Sequence, residues 1–428
     1  MKFVLDRSVQ RFGQVVIGGS PLKLFRLTTG GAAVVEQLAD GDDVDSSALT
    51  DRFLDAGAIH PQFRASDARF TTADVTIVMP TLGEPARVAP GAIVVDDGSR
   101  PPVAGATIRL AVNRGPAAAR NAGLALVTTP LVAFVDADVT SPPDWLDALL
   151  PHFNDARVAL VAPRVTSAPA SGSLGRYEQG GSPLDLGVEP ARVAAGTRVS
   201  YVPSAAIVCR VDAVRELGGF DESLRAGEDV DLVWRLIDAG WRCRYEPASA
   251  VQHAARSTWT EWARQRITYG SSAAPLAKRH PGALAPLRMS GWSVAAWIIG
   301  MRGHHWIGTA IGLGSAAALT RKLPDVPPRA AFRLAALGNA RAGEQLANAV
   351  RRAWWPIVLL AAWKSRTARR TLVAAALASR NPIRLGDDVA YSIGVWKGMI
   401  AERSATAIVP SISSWPGRSA PTPPADAR

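Results

Sequence analysis

Between Asp74 and Pro247, short β-branched runs alternate with helix-like stretches, and this limits the fold more than any other feature of the chain. "DVTIVMP", "AIVVDD", "ATIRLAV", "LVAFVDAD" and "ARVALVAP" read as strands, and helices are expected over 115–127 and 143–153. Such alternation predicts an α/β fold with a doubly wound, mostly parallel sheet. Ligands of such sheets bind beyond the carboxyl ends of the strands. Several acids of this chain fall where those strands stop.

Asp136 and Asp138 end the run "LVAFVDADVT" one residue apart. Side chains i and i+2 leave a strand on the same face, so both carboxylates converge despite their repulsion. A hard cation such as Mg²⁺ or Mn²⁺, set between them and a phosphate, would account for the pair. A solvated strand end before a turn would account for it equally. "AIVVDDGSR" places Asp96 and Asp97 ahead of a Gly98–Ser99 turn. A strand-end carboxylate there can accept from a nucleotide base or ribose hydroxyl, or it can close an ordinary Asp-Gly turn.

In "NRGPAAARNAGLALV", Asn113 precedes a Gly-Pro helix start, and Arg120 and Asn121 lie inside the helix. Small residues there allow close packing on the sheet. Arg120 reaches a diphosphate, buttresses the acids or forms a structural ion pair, and the sequence leaves these open. Residues 164–200, rich in Gly, Ser and Pro, are where an acceptor site would form, and they name no substrate. In "GGFDESLRAGEDVDLVWRLIDAG", Gly218 and Gly219 permit a tight turn before a helix that begins with Glu228, Asp229 and Asp231. The helix dipole favours acids there, yet three are more than capping requires. One of them, held near a reacting carbon, could act as general base. His253, in "AVQH", is either a metal ligand through a neutral ring nitrogen or a structural residue.

The order of these motifs is more specific than any single one. A strand ending near Pro80 is followed by D-D-G-S, N-x-G-x-x-x-A-R-N-x-G, D-A-D, G-G-F-D-E and G-E-D-x-D-L-x-x-R. Over about residues 74–255 this resembles the inverting family-2 glycosyltransferases with a GT-A-type fold. The resemblance implies a nucleotide-sugar site at Pro80, Asp96, Asp97, Ser99, Asn113, Arg120 and Asp136, with Asp96 or Asp97 on the nucleoside. It implies Mg²⁺ or Mn²⁺ held by Asp136, Asp138 and His253, and Asp229 as base assisted by Glu228. It places the acceptor near Gly218, Gly219, Phe220, Asp221, Trp259 and Arg266. One departure stands out. Where the family carries a helix after the first strand, this chain has only "TLGEPARVAPG", too short and Pro-rich for one.

Residues 1–65 read as a separate block, joined by a linker over 66–73. Two helices are expected there, one capped by Thr28 or Thr29 and stopped by Gly41, the other capped by Ser46 or Ser47 and stopped by Gly57. The block, through "GGSPLKLFRLTTGGAAVVEQLADG", resembles the winged-helix-like PqqD peptide-recognition domains, which implies a peptide contact. Its clustered Asp40, Asp42, Asp43 and Asp45 argue against nucleic acid as a partner.

After His253 the character changes. Residues 1–253 hold 24 Lys+Arg against 30 Asp+Glu, whereas 254–428 hold 24 against 7 and carry ten of the 13 Trp. A basic, Trp-rich helical region over 256–410 suggests an anionic membrane surface as partner. Its apolar runs fall short of the ~20 residues a crossing needs, so helices lying in the headgroup layer are expected. A disordered tail is expected over 411–428. Two cysteines, Cys209 and Cys243, and an N-terminus without an apolar signal core fit a cytoplasmic protein, peripheral on the inner face of the membrane. With the PqqD-like block in front and the basic region behind, the whole chain resembles the glycosyltransferases of mycofactocin systems. That implies repeated transfer of glucose, β-1,4-linked, from UDP-glucose onto pre-mycofactocin, a peptide-derived redox cofactor, or onto its growing oligosaccharide. A family-2 enzyme acting on a lipid or cell-wall polysaccharide, a nucleotidyltransferase and a non-catalytic peptide-binding module are the other readings of these residues.

Overall fold

A computed structural model describes residues 2–85 and 87–413. Its internal contacts divide the chain into two compact units, with the boundary after Trp262.

The first unit opens with strands β1 (Lys2–Leu5), β2 (Gln10–Phe12), β3 (Val15–Gly18) and β4 (Lys23–Arg26). Helices α1 (Thr29–Asp40) and α2 (Ala48–Ala56) and strand β5 (Ile59–Gln62) follow. Strands β2, β3 and β4 form an antiparallel meander, and β5 returns to pair with β1. Thr28 caps α1 through the Gly31 amide, and Gly41 ends that helix with φ 83°. Ser47 and Thr50 form a capping box on α2, and Gly57 ends it with φ 66°. The helices close over a core of Phe3, Val16, Phe25, Phe53 and Ile59, in which Phe25 and Phe53 meet edge to face at 4.8 Å.

This block is fastened to the larger sheet by charge. Arg242 donates to Asp55 at 2.7 Å and to Asp155 at 2.6 Å, and Arg198 donates to Asp6 at 2.9 Å. Two hydrogen bonds between Asn154 and the backbone of Asp67 and Arg69 tie down the segment expected to be a linker.

The central sheet has nine strands: β6 (Val75–Thr81), β7 (Ile93–Asp96), β8 (Ile108–Arg109), β9 (Leu131–Val135), β10 (Val139–Thr140), β11 (Val158–Ser167), β12 (Ala191–Val193), β13 (Ala206–Arg210) and β14 (Arg242–His253). Their order is β10-β14-β11-β13-β9-β6-β7-β8, with β12 on β14. Strands β6, β7, β8, β9, β11 and β14 run one way, and β13 runs antiparallel between β9 and β11. The sheet is thus mostly parallel, as expected. Every residue of β9 is buried, as an apolar run with a neighbour on each side requires.

Helices α3 (Pro116–Ala125), α4 (Gly172–Gly181), α5 (Val211–Glu216) and α6 (Glu228–Asp238) complete the domain. Gly123 lets α3 lie close on the sheet, since a Cβ there would come within 2.4 Å of Val78. The helix expected over 143–153 forms only turns and a 3₁₀ segment, Leu150–Asn154. Pro151 has no N–H to donate back along such a helix. Trp145, Leu146 and Leu149 are buried all the same. Among the described residues, no helix lies between β6 and β7, in keeping with the shortness of "TLGEPARVAPG".

The second unit is helical: Gly291–Met301, His305–Lys322, Pro328–Ala349, Trp355–Ala362, Arg366–Leu377 and Pro382–Glu402 are its longer elements. Buried pairs hold it, with Arg266 on Asp387 at 2.9 Å and Arg351 on Asp388 at 2.7 Å. Among the described residues, no helix is long and apolar enough to cross a membrane. Ser411–Ser413, expected within a disordered tail, instead pairs in parallel with Arg288–Ser290. The rest of that tail lies outside the described residues.

Candidate functional site

Beyond the carboxyl end of β9, Asp136 and Glu228 of α6 meet across a buried cation. Arg120 projects from α3, only 3% exposed, and donates to Asp136 at 2.6 Å and to Glu228 at 2.8 Å. Its guanidinium lies 5.4 Å from the ring centre of Phe220. Of the roles the sequence left open, the geometry displays an ion pair to the acids: Arg120 joins the end of β9 to the start of α6. Burial disfavours its charge, but Asp136 and Glu228 outweigh that and hold its pKa above the ordinary value.

Asp229 follows Glu228 in the first turn of α6. Its carboxylate accepts from the amides of Ser204 at 3.1 Å and Val230 at 2.8 Å. Burial, reinforced by the negative charge of Glu228, raises its pKa to about 6, against the lowering pull of those amides and Arg120. A carboxylate poised there is ionised at neutral pH yet basic enough to accept a proton in a transition state. The third acid of that turn has a structural task. Asp231 holds Arg235 at 2.7 Å, and Arg235 binds the carbonyls of Leu217 and Gly219.

The expected metal trio is not assembled. Among the described residues, no three His, Cys, Asp or Glu side chains converge as a metal site. Asp136 turns to Arg120, while Asp138 and His253 come together, with Asp138 Oδ2 3.3 Å from His253 Nε2. The pairing of β10 with β14 causes this, since Val139 lies opposite His253. His253 Nδ1 lies 2.9 Å from the Ala254 carbonyl, which can only accept, so this nitrogen carries the hydrogen. In the neutral ring Nε2 then presents its lone pair toward a carboxylate oxygen. The Arg256 guanidinium lies 3.6 Å from the same Asp138 oxygen, so a metal at this pair would take the place of Arg256, with the ring oriented by a carbonyl on its distal nitrogen. The group fits as a two-ligand site to be completed by substrate phosphates, the usual habit of Mg²⁺.

The strand-end pair divides its work differently from the expectation. Asp96 is fully buried, accepting from the amides of Ser99 at 2.8 Å and Val103 at 3.2 Å, with Arg109 at 3.4 Å. It is sealed inside its own turn, without exposed surface. Asp97 accepts from the amides of Arg114 at 2.7 Å and Gly115 at 2.8 Å and so fixes the start of α3. Ser99 is buried and accepts from the Gly83 amide, tying the shortened loop to the turn. Pro80 is buried in β6, opposite Val95. It lies past the residues that pair with β9, so its missing N–H leaves no ladder bond unmade. Asn113 is exposed, 3.5 Å from Arg225.

Among the expected acceptor residues, Gly218 and Gly219 have φ of 76° and 78°. A Cβ on Gly219 would lie 2.5 Å from Asn121 Oδ1. Phe220 is buried against Phe134, ring centres 5.0 Å apart, so it is a core residue rather than a surface for a sugar. Asp221 accepts from Ser223 within its own turn. Trp259 is 48% exposed and stacks edge to face on Trp262. Arg266 belongs to the second unit, where Asp387 engages it in the interior, so it is not offered to an acceptor.

Sequence reasoning gave no role to Asn121. Its amide donates to the Phe220 carbonyl at 2.8 Å and accepts the Phe220 amide at 2.9 Å, clamping the 219–222 turn to α3. Its place beside Arg120 in a helix was the only local signal.

Residues 92–217 match the family model for glycosyl transferase family 2. Pre-mycofactocin glycosyltransferases of two Mycobacterium tuberculosis strains, CDC 1551 / Oshkosh and ATCC 25618 / H37Rv, are each 39% identical over 95% of this chain and 97% of theirs. Among solved structures, a mannosyltransferase from Pyrobaculum calidifontis in complex with GDP-Man and Mn²⁺ shows a looser likeness. It is 14% identical, with a TM-score of 0.42, over 76% of this chain and 87% of that one.

Proposed function

Because the chain belongs to the pre-mycofactocin glycosyltransferases, enzymes of glycosyl transferase family 2, we propose that it moves glucose from UDP-glucose onto pre-mycofactocin. The linkage proposed is β-1,4, and the transfer is repeated on the growing sugar. The observation that carries this reading is the Arg120 bridge between Asp136 and Glu228, which sets Asp229, with its pKa near 6, beside the acids at the strand ends.

In this reading Asp138 and His253 hold Mg²⁺ or Mn²⁺, which when bound supplies positive charge to the leaving diphosphate. Asp229 accepts the proton of the acceptor hydroxyl as its oxygen bonds to the anomeric carbon. The bond from that carbon to the diphosphate oxygen breaks on the opposite face, so an α-linked donor gives a β-glycoside. Arg120 and Glu228 keep Asp229 and Asp136 in register, and Asp97 braces the nucleoside side of the pocket. The basic second unit, with its exposed tryptophans, meets an anionic membrane surface, and the N-terminal block contacts the peptide-derived acceptor.

Incubating the full chain and a divalent metal with pre-mycofactocin and a panel of UDP-, GDP- and dTDP-sugars tests this. A β-hexosylated product with free UDP is expected from UDP-glucose alone. Release of pyrophosphate would show a nucleotidyltransferase instead, and an unmodified acceptor with every donor would overturn the assignment.

A further inference from the structure

In the second unit, helices Gly291–Met301, His305–Lys322 and Pro328–Ala349, together with Arg288–Ser290, line a cavity of about 650 Å³. That is the size of a small-molecule site. Met289, Trp292, Ile311 and Leu319 give it an apolar wall. Four polar side chains of the wall, Ser290, Ser293, Ser315 and Asn339, satisfy one another. Asn339 Oδ1 accepts from Ser293 at 2.6 Å, and Asn339 Nδ2 donates to the Gly312 carbonyl and Ser315 hydroxyl, each at 3.2 Å. An occupant is therefore offered apolar contact in the interior rather than hydrogen bonds.

The charged lining is of one sign. Lys322 is an exposed cation on the wall, Arg288 is exposed there with its Nη2 donating to the Gly282 and Ala283 carbonyls, and no carboxylate lines it among the described residues. Trp292, itself 48% exposed, runs from the wall to the surface. An apolar chamber with cations on its lining complements a molecule with an apolar chain and an anionic head.

We propose that this cavity takes one acyl chain of an anionic phospholipid, with the head phosphate against Arg288 and Lys322. The proposal rests on the membrane-surface reading of this unit, and a soluble lipid separates the two. The full chain is titrated with dioctanoyl phosphatidylglycerol below its micellar concentration, and binding is followed by calorimetry and native mass spectrometry. Gly314→Leu combined with Gly338→Leu fills the chamber. A Cβ built at either glycine meets nothing within 4 Å, and Leu is the better helix former, so the variant keeps its fold.

Saturable binding of one lipid per chain is expected, weakened by roughly tenfold or more in the filled variant and weakened in Lys322→Gln. Equal binding by the filled variant, or none by the unaltered chain, overturns the proposal. Co-flotation with phosphatidylglycerol vesicles reports on the surface reading independently. A filled variant that floats normally and still binds soluble lipid would sink the cavity and spare the surface. Cavity-dependent lipid binding without flotation of the unaltered chain would do the reverse.

Discussion

Both units bury ion pairs, Arg266–Asp387 and Arg351–Asp388 in the second, but they differ in what surrounds those pairs and in where their large apolar side chains lie. In the first, Arg120 is buried between Asp136 and Glu228 at the candidate site, with Asp229 half-buried beside Glu228. In the second, large apolar side chains are turned outward, with Trp306 88% exposed, Trp363 87% and Leu360 80%, on a strongly basic background. A buried charge has value only where its partners are pre-arranged, which is the economy of a catalytic centre. Exposed apolar surface on this scale marks a face awaiting a partner. On the proposed reading, chemistry and location are handled by different parts of one chain, so substitutions in one unit should leave the other's readout intact.

The severest test of that division is Asp229→Asn. It removes the proton acceptor while preserving shape, and kcat is expected to fall by about 10²–10⁴-fold with lipid binding unchanged. Steady-state turnover with UDP-glucose and pre-mycofactocin, alongside vesicle flotation, checks both halves. Full turnover by this variant would remove Asp229 from the mechanism.

Next in size is Arg120→Met, which leaves Asp136 and Glu228 as unpaired carboxylates. Breaking a buried pair in this way costs about 3–5 kcal/mol of stability, measured by denaturant unfolding. Arg120 also lowers the pKa of Asp229. Whatever activity survives should therefore show its acid limb at higher pH than in the unaltered enzyme.

Glu228→Gln should act in the opposite direction and more gently. The base works ionised, so kcat/KM should fall as pH drops through about 6, the pKa of Asp229. Glu228 contributes to raising that value, so its neutral replacement should move the limb toward lower pH. A pH profile with the limb unmoved would mean that Glu228 does not face the base as described.

The sequence made much of this legible, and the parts it hid share one cause. The caps at Thr28, Gly41, Ser47 and Gly57, and the strands ending at Thr81, Asp96 and Val135, follow from residues a few positions apart. Local patterns carry such information. The acids of the α6 start were readable because three in one turn exceed what capping needs. The Arg120–Glu228 contact spans 108 residues and the Asn121 clamp 99. No local signal tells a buttress from a phosphate ligand at such a distance. Asp96 and Phe220 misled for the same reason, because burial is decided by what folds over a residue. Antiparallel β13, slipped between β9 and β11, was equally invisible, since its apolar run says nothing of its direction.

The smallest expected effect on catalysis, and the sharpest test of the division, lies in the second unit. Trp306→Ser with Trp363→Ser removes two rings that touch little of the protein at 88% and 87% exposure, so neither fold nor turnover on a dissolved acceptor should change. Burying a large apolar side chain is worth ~1.5–3 kcal/mol, so losing two should lower partitioning to anionic vesicles by about tenfold or more. If turnover fell instead while vesicle binding held, the rings would be serving the reaction rather than the surface. The separation between a unit that transforms and a unit that positions would then have to be abandoned.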